Sequence, residues 1–136
     1  MTRGLVHHVD LTVADPERSR PFYETVLGFM GYRLGHADAR GYDFDLVAPG
    51  SGYSIGIKRA EGPNAARAHD RYAPGLHHLA WQAESRADVD ALHALLVRIG
   101  ATILDPPADY PAYGAGYYAV FFADPDGLKL EYVFKP

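Results

Sequence analysis

Two histidine doublets, His7-His8 and His77-His78, stand 70 positions apart and open the same pattern of residues. Val6-His7-His8-Val9-Asp10-Leu11-Thr12-Val13 and Leu76-His77-His78-Leu79-Ala80-Trp81-Gln82-Ala83 each give an apolar residue, two histidines, then alternation. A repeat of this kind limits a fold more than any local propensity, because each copy must be one supersecondary unit that recurs. Downstream the likeness continues. Asp15-Pro16 and a helical stretch ending near Leu27-Gly28 follow the first copy, and Ser85 with a helix from Arg86 to Ile99 follows the second.

The second helix has Val89, Leu92, Leu96 and Ile99 on one stripe. Ser85 suits its N-cap, Asp88 completes a capping-box-like start, and Gly100 suits the residue past its end. In the first helix Phe22, Val26 and Leu27 line one face, and Pro21 removes a backbone donor, which predicts a late start or a kink. Each half then reads as strands. Tyr42 to Val47, the turn Ala48-Pro49-Gly50-Ser51-Gly52 and Tyr53 to Lys58 form one hairpin. Tyr117 to Phe122, the turn Ala123-Asp124-Pro125-Asp126-Gly127 and Leu128 to Phe134 form the other. A further strand is expected near Tyr32-Arg33-Leu34 and near Ala101 to Leu104. The predicted fold is therefore α+β: βαβββ twice over, each helix packed on one face of a twisted sheet that can curl into a trough.

A chain of 136 residues supports one well-packed domain, here with module one about 1–60, a linker about 61–74 and module two about 75–136. With 48% hydrophobic and 22% charged residues it reads as a soluble globular protein. No Lys/Arg stripe accompanies the formal charge of -4, so nucleic acid is not an expected partner. No signal-peptide h-region and no run of about 18 apolar residues occurs, so a cytoplasmic protein without a membrane span is expected. Zero cysteines leave His and carboxylate as the groups available to hold a metal.

Strand parity selects among the histidines. In the first strand Val9, Leu11 and Val13 should face the helix, leaving His8, Asp10 and Thr12 on the opposite face. In the second copy Leu79 and Trp81 face the helix, and His78, Ala80 and Gln82 lie opposite. In the last strand Leu128, Leu130, Tyr132 and Phe134 form the apolar face, with Lys129, Glu131 and Val133 on the other. His8, His78 and Glu131 thus share faces turned away from the helices, and two imidazoles with one carboxylate compose an open divalent-metal triad. The competing account of Glu131 is an ion pair with Lys129, since an unpaired buried carboxylate is costly. His7 and His77 point the other way by the same rule, as bystanders or outer hydrogen-bond donors.

His8-Val-Asp-Leu-Thr-Val-Ala-Asp15, Phe22-Tyr-Glu-Thr-Val-Leu-Gly28, His78-Leu-Ala-Trp81 and Asp124-Pro-Asp-Gly-Leu-Lys-Leu-Glu131 together resemble the vicinal oxygen chelate superfamily. That superfamily includes glyoxalase I, extradiol dioxygenases, fosfomycin-modifying enzymes and bleomycin-binding proteins. The resemblance covers nearly the whole chain. It implies a metal-lined half-barrel, commonly a dimer, with His8, His78 and Glu131 as ligands. Members of the glyoxalase type carry a fourth ligand on the last strand of the first module, and here that place aligns with Gly56, 75 positions before Glu131. Three protein ligands leave open positions for a bidentate substrate or dioxygen.

The Pro/Gly/Tyr segment from Pro106 to Gly116 is expected to be a loop, with Tyr110, Tyr113, Tyr117 and Tyr118 either lining a substrate pocket or covering a sheet edge. In the linker, His69 is a candidate base and Arg71 a candidate anion binder, against plain surface solvation. Asp10, Thr12 and Gln82 are candidate outer groups of the site, whereas His36 and His93 read as surface residues.

The leading functional expectation is a metal enzyme acting on a small substrate with vicinal oxygens, by extradiol-dioxygenase-like chemistry. Its one divalent ion would be Fe(II) or Mn(II), with Zn(II) or Ni(II) as alternatives. A second reading is a glyoxalase-like lyase, an epimerase or a thiol transferase. A third is a metal-free binding protein of the bleomycin-resistance type. A homodimer is expected.

Overall fold

The computed structural model describes residues 3–48 and 51–136. The element order is β1 (His8–Val13), α1 (Pro16–Phe29), β2 (Arg33–Asp38), β3 (Gly41–Ala48) and β4 (Ser51–Arg59), then β5 (Leu79–Gln82), α2 (Arg86–Arg98), β6 (Thr102–Asp109), a 3-10 turn (Pro111–Tyr113), β7 (Tyr118–Ala123) and β8 (Lys129–Phe134). The chain divides into two compact units, Met1–Arg67 and Ala68–Pro136. Each unit is βαβββ with one four-stranded mixed sheet, ordered β1-β4-β3-β2 in the first and β5-β8-β7-β6 in the second. The α+β fold and the duplicated module follow the repeat. In both sheets the first strand lies parallel to the last, and the remaining pairs are antiparallel.

Each unit buries its helix stripe on one sheet face. In the first, Phe22, Tyr23, Val26 and Leu27 of α1 are buried together with Leu11, Val13, Phe44, Ile55 and Ile57 of the strands. In the second, Val89, Leu92 and Leu96 of α2 are fully buried with Val120, Phe122 and Leu130. Removing these apolar side chains from water drives the assembly of each unit. Parity in β1 is as the alternation predicts: Leu11 and Val13 are buried and His8, Asp10 and Thr12 are exposed.

Four elements differ in extent from the sequence reading. Helix α1 starts at Pro16, before Pro21. Asp15 caps it by accepting a bond from the Glu17 amide at 3.1 Å, and Pro16 occupies a first-turn position whose N–H has no helical partner to lose. Pro21 removes only one later bond. Strands β3 and β4 run to Ala48 and from Ser51, pairing Val47 with Gly52, so residues expected in the turn belong to the ladder. Pro49 and Gly50 of that turn lie outside the described residues. Strand β6 continues through Pro106-Pro107 to Asp109, where a loop was expected. It is an edge strand, and its pairing with β7 shifts between Asp105 and Ala108, so the two prolines fall where no ladder donor is required.

Helix α2 is capped as predicted, with the Ser85 hydroxyl accepting from the Asp88 amide at 3.0 Å and Gly100 in the left-handed region at φ +71. Asp88 Oδ2 also accepts from the Glu84 amide at 3.0 Å and from the Tyr132 hydroxyl at 2.6 Å, which ties the helix start to β8. Burial first, then the bond to Asp88, raises the Tyr132 hydroxyl well above the usual phenol range. Because the folded chain holds this proton where the unfolded chain has released it, the contribution is complete below about pH 10 and is lost as pH rises through the higher folded value. Tyr132→Phe is expected to cost about 1.5–3 kcal/mol near neutral pH, with the gap to wild type narrowing above pH 10 in urea denaturation. Gly41, at φ +146, would place a Cβ 1.9 Å from the Ile57 carbonyl oxygen, whereas a Cβ at Gly100 meets nothing within 4 Å. Gly41→Ala should therefore lose more stability than Gly100→Ala, which should cost about 1–2 kcal/mol for its left-handed backbone.

Candidate metal centre

The second unit brings two of the three expected ligands together. Parallel pairing of β5 with β8 sets Ala80 beside Glu131, and antiparallel β7 sets Phe121 on its other flank. His78 stands two residues before Ala80, hence on the same face, and its Nε2 lies 3.0 Å from Glu131 Oε1. Glu131 is 2% exposed, a depth at which an unpartnered carboxylate would be strongly disfavoured. Its second oxygen, Oε2, accepts a hydrogen bond from the Tyr117 hydroxyl. Burial first, then this bond, raises the Tyr117 hydroxyl far above the usual phenol range, so it acts as a donor. The Lys129 ammonium lies over the Phe121 ring at 4.6 Å, so the Glu131 carboxylate is held by His78 and Tyr117.

The spacing of these two side chains fits a divalent ion. Neighbouring donors of an octahedral ion with bonds of about 2.1 Å stand about 3 Å apart, the separation found between His78 Nε2 and Glu131 Oε1. The donor set, one imidazole and one carboxylate, is that of Fe(II), Mn(II) and Zn(II) sites. Among the described residues no group of three or more His, Cys, Asp or Glu side chains is assembled for a metal ion. The third expected ligand, His8, lies in the first unit, where it opens β1 and is exposed.

Around Glu131 the second unit builds an aromatic wall. The Tyr110 amide donates to the Tyr117 carbonyl at 2.9 Å, closing the segment between β6 and β7 upon itself. The rings of Tyr110 and Tyr113 stack at 5.7 Å, Tyr113 meets Tyr117 edge-on at 5.5 Å, and Tyr110 meets Phe121 edge-on at 5.4 Å. Desolvation, then the charge of Asp105, raises the Tyr110 hydroxyl. Tyr118 belongs elsewhere: its hydroxyl donates to Asp90 at 2.6 Å and Arg86 lies over its ring at 3.9 Å. Phe121 escaped the sequence reading because β7 is an uninterrupted apolar run, in which alternation cannot assign faces.

The first unit has the same framework with different chemistry. Asp10, two residues after His8, pairs with Gly56, as Ala80 pairs with Glu131. Gly56 therefore occupies the place of Glu131, as the hairpin alignment predicts. A Cβ on residue 56 would stand 2.1 Å from Asp10 Oδ1 and 2.9 Å from Asp43 Oδ1. Lys58 Nζ donates to Asp43 Oδ1 at 2.8 Å, and this bond raises the Lys58 ammonium above its usual range. Carboxylates from β1 and β3 thus fill space that a ligand on β4 would take.

The remaining candidates separate. His69 Nε2 donates to the Leu76 carbonyl at 3.0 Å, and Arg71 donates to the Tyr72 hydroxyl at 2.8 Å while lying over that ring. Both serve the chain leading into β5. Thr12 and Gln82 are exposed on their strands, and exposed His36 lies 3.1 Å from Asp38. His7 and His77 hydrogen-bond to their neighbours: Nδ1 of His7 is 2.9 Å from Nδ1 of His8, and Nδ1 of His77 is 2.7 Å from Nδ1 of His78. Desolvation, then the charges of His78, Lys129 and Arg71, holds the His77 imidazole below its usual range.

Residues 5–132 match the profile of the Glyoxalase/Bleomycin resistance protein/Dioxygenase superfamily. The chain belongs to this superfamily. It is 33% identical over 128 residues to the uncharacterized protein YqjT of Bacillus subtilis (strain 168), covering 94% of this chain and 97% of that one. A candidate glyoxalase from Bacillus halodurans has a similar crystal structure, with a TM-score of 0.82, 31% identity and coverage of 98% and 97% of the two chains. A glyoxalase/bleomycin resistance protein from Albidiferax ferrireducens T118 gives a TM-score of 0.72 at 27% identity, over 97% and 100%. Many superfamily members use a divalent metal, which agrees with the donor chemistry of His78 and Glu131.

Tyr117→Phe leaves Glu131 Oε2 buried without its donor, and should destabilise the protein by about 1–3 kcal/mol in a chemical denaturation experiment. Tyr113→Phe, which changes an exposed ring by one hydroxyl, should stay within about 0.5 kcal/mol of wild type.

Proposed function

We propose that this chain is a divalent-metal-dependent enzyme acting on a small substrate with two neighbouring oxygens, by extradiol-dioxygenase-like chemistry. The observation that carries the reading is the convergence of His78 Nε2 and the buried Glu131 carboxylate at 3.0 Å. His8, the counterpart of His78 in the repeat, is the third ligand in this proposal, and the ion is Fe(II) or Mn(II). In this proposal the protein works as a cytoplasmic homodimer. No helix among the described residues is long and apolar enough to cross a membrane.

Bound there, the ion would act as a Lewis acid toward the substrate oxygens and hold them side by side. The chain's own residues supply the rest. Tyr117 keeps one oxygen of Glu131 occupied, so the carboxylate presents the other in a fixed direction. Tyr110, Tyr113 and Phe121 offer ring faces beside that carboxylate, suited to a flat apolar substrate body and to exclusion of water. Gly56 itself carries no donor, and the Asp10 and Asp43 carboxylates stand where a ligand on β4 would be.

A second reading, a glyoxalase-like lyase, epimerase or thiol transferase, is favoured by the likeness to the candidate glyoxalase from Bacillus halodurans. Aerobic assay of the Fe(II)-loaded protein against a catechol panel, beside a glutathione hemithioacetal assay of the Ni(II)- and Zn(II)-loaded forms, separates the two. The expected result is one bound divalent ion per active site, ring cleavage of a catechol, and loss of at least 100-fold in activity for His8→Ala, His78→Ala and Glu131→Ala. Absence of any bound metal, with no rise in melting temperature on adding ions, would support a metal-free binder of the bleomycin-resistance type instead.

A further inference from the structure

Arg20, Arg59 and Arg86 each stand within ion-pair distance of a carboxylate, on Glu24, Asp15 and Asp109 respectively. Arg71 differs. Among the described residues its hydrogen-bond partner is the Tyr72 hydroxyl at 2.8 Å, and its guanidinium lies over the Tyr72 ring at 4.9 Å. Its Nε is buried and has no acceptor among the described residues. A buried N–H without a partner is costly and calls for an explanation, of which a bound ion is one. Arg71 also borders a cleft of about 240 Å³, with His69, Asp70 and Tyr72 beside it and Gly127 opposite. The first four belong to the chain leading into β5 and Gly127 to the turn between β7 and β8, so the cleft lies within the second unit. Sites that enclose a whole small molecule run to about 300–1,000 Å³, so this one suits a single charged group.

We propose that Arg71 and this cleft form a binding site for an oxyanion, a carboxylate or a phosphate. A guanidinium matches these groups best, because its planar fork donates two parallel bonds and keeps its charge throughout the physiological range. The bond to Tyr72 uses one guanidinium hydrogen and leaves the others for a ligand. Stacking on the Tyr72 ring sets the plane of the fork before a ligand arrives, which lowers the ordering cost of binding. The loop that carries Arg71 is itself held: His69 Nε2 donates to the Leu76 carbonyl at 3.0 Å, and the Tyr72 amide donates to Asp70 Oδ1 at 3.0 Å. Asp70 borders the cleft too, and its negative charge opposes an anion there. Two sources supply the same chemistry. The Tyr72 ring meets His77 edge-on at 5.8 Å, which sets the cleft beside the His77-His78 doublet, so an acidic substituent of the substrate is one source. That branch rests on the proposed function; the other source, a free inorganic anion, does not.

Calorimetric titration of metal-free protein tests the site, with inorganic phosphate, protocatechuate (a catechol that carries a carboxylate) and catechol itself as probes. Wild type should bind at least one of the two anions, and Arg71→Gln should bind it about 10-fold more weakly or worse. Arg71→Lys keeps the charge and loses the fork, so its affinity should fall between them. Asp70→Asn keeps an acceptor for the Tyr72 amide and removes the opposing charge, so it should bind about 2–5-fold more tightly, a gain that a purely structural role for this loop does not produce. Arg71-dependent preference for protocatechuate over catechol assigns the site to a substrate substituent. Arg71-dependent phosphate binding, with protocatechuate bound no better than catechol, assigns it to a free anion. Failure of wild type to bind either anion, or equal affinity in wild type and Arg71→Gln, overturns the site. Thermal melts verify that the variants fold, and Arg71→Lys decides the matter if Arg71→Gln does not. Because no metal is present in these titrations, a failure of metal binding or of catechol cleavage bears on the proposed function and not on this site.

Discussion

The parallel pairing of the first strand of each module with its last is the constraint on which the rest depends. A parallel pair cannot be closed by a tight turn, so the chain must travel through a helix and two further strands before it returns. That journey covers one face of the sheet and leaves the other free for chemistry. It also fixes the register that sets Ala80 beside Glu131 and Asp10 beside Gly56. With the second histidine of each doublet two residues earlier, an imidazole is delivered to the same face as the last strand's residue without any special loop.

Within the second unit the Glu131 carboxylate is the most demanding group. Burial of this depth is tolerable because both oxygens are partnered, one by the Tyr117 hydroxyl just before β7 and one by the imidazole before β5. Tyr110 and Tyr113, carried by the segment after β6, stack outside that pair. The C-terminal residues close the same segment from behind: a side chain at Gly114 or Gly116 would collide with Lys135 or Pro136. In the proposed metal site, function and stability would be joined at this carboxylate, since whatever holds it in place also decides what can approach it.

The repeat, the element order, the parity of β1 and the equivalence of Gly56 with Glu131 were legible because each is written directly in the residue pattern. Other features depend on context that a pattern does not carry. Pro106 and Pro107 read as loop, yet an edge strand has places that need no donor, and β6 runs through them. Pro21 read as a barrier to α1, yet the Asp15 cap starts the helix a turn earlier. Phe121 was invisible as a neighbour of Glu131 because every residue of β7 from Ala119 to Ala123 is buried, so its sequence has no alternation to read. The contacts of His7 and His77 depend on side-chain torsions, about which strand parity is silent. The repeat and strand parity together singled out His8, His78 and Glu131 as candidates and left open which groups hold them.

The pairing of Asp10 with Gly56 and of Ala80 with Glu131 has a historical consequence. In each module one strand supplies an acid and its register partner supplies a residue small enough to admit it, but the two modules have made the assignment in opposite senses. The free volume at that point of the sheet behaves as a shared allowance. At residue 56 a Cβ would meet the Asp10 carboxylate at 2.1 Å, so a larger residue there and Asp10 in its present position exclude each other. Related chains should therefore change these two positions together. Divergence between the halves of such a fold is then recorded in pairs of residues rather than in single substitutions.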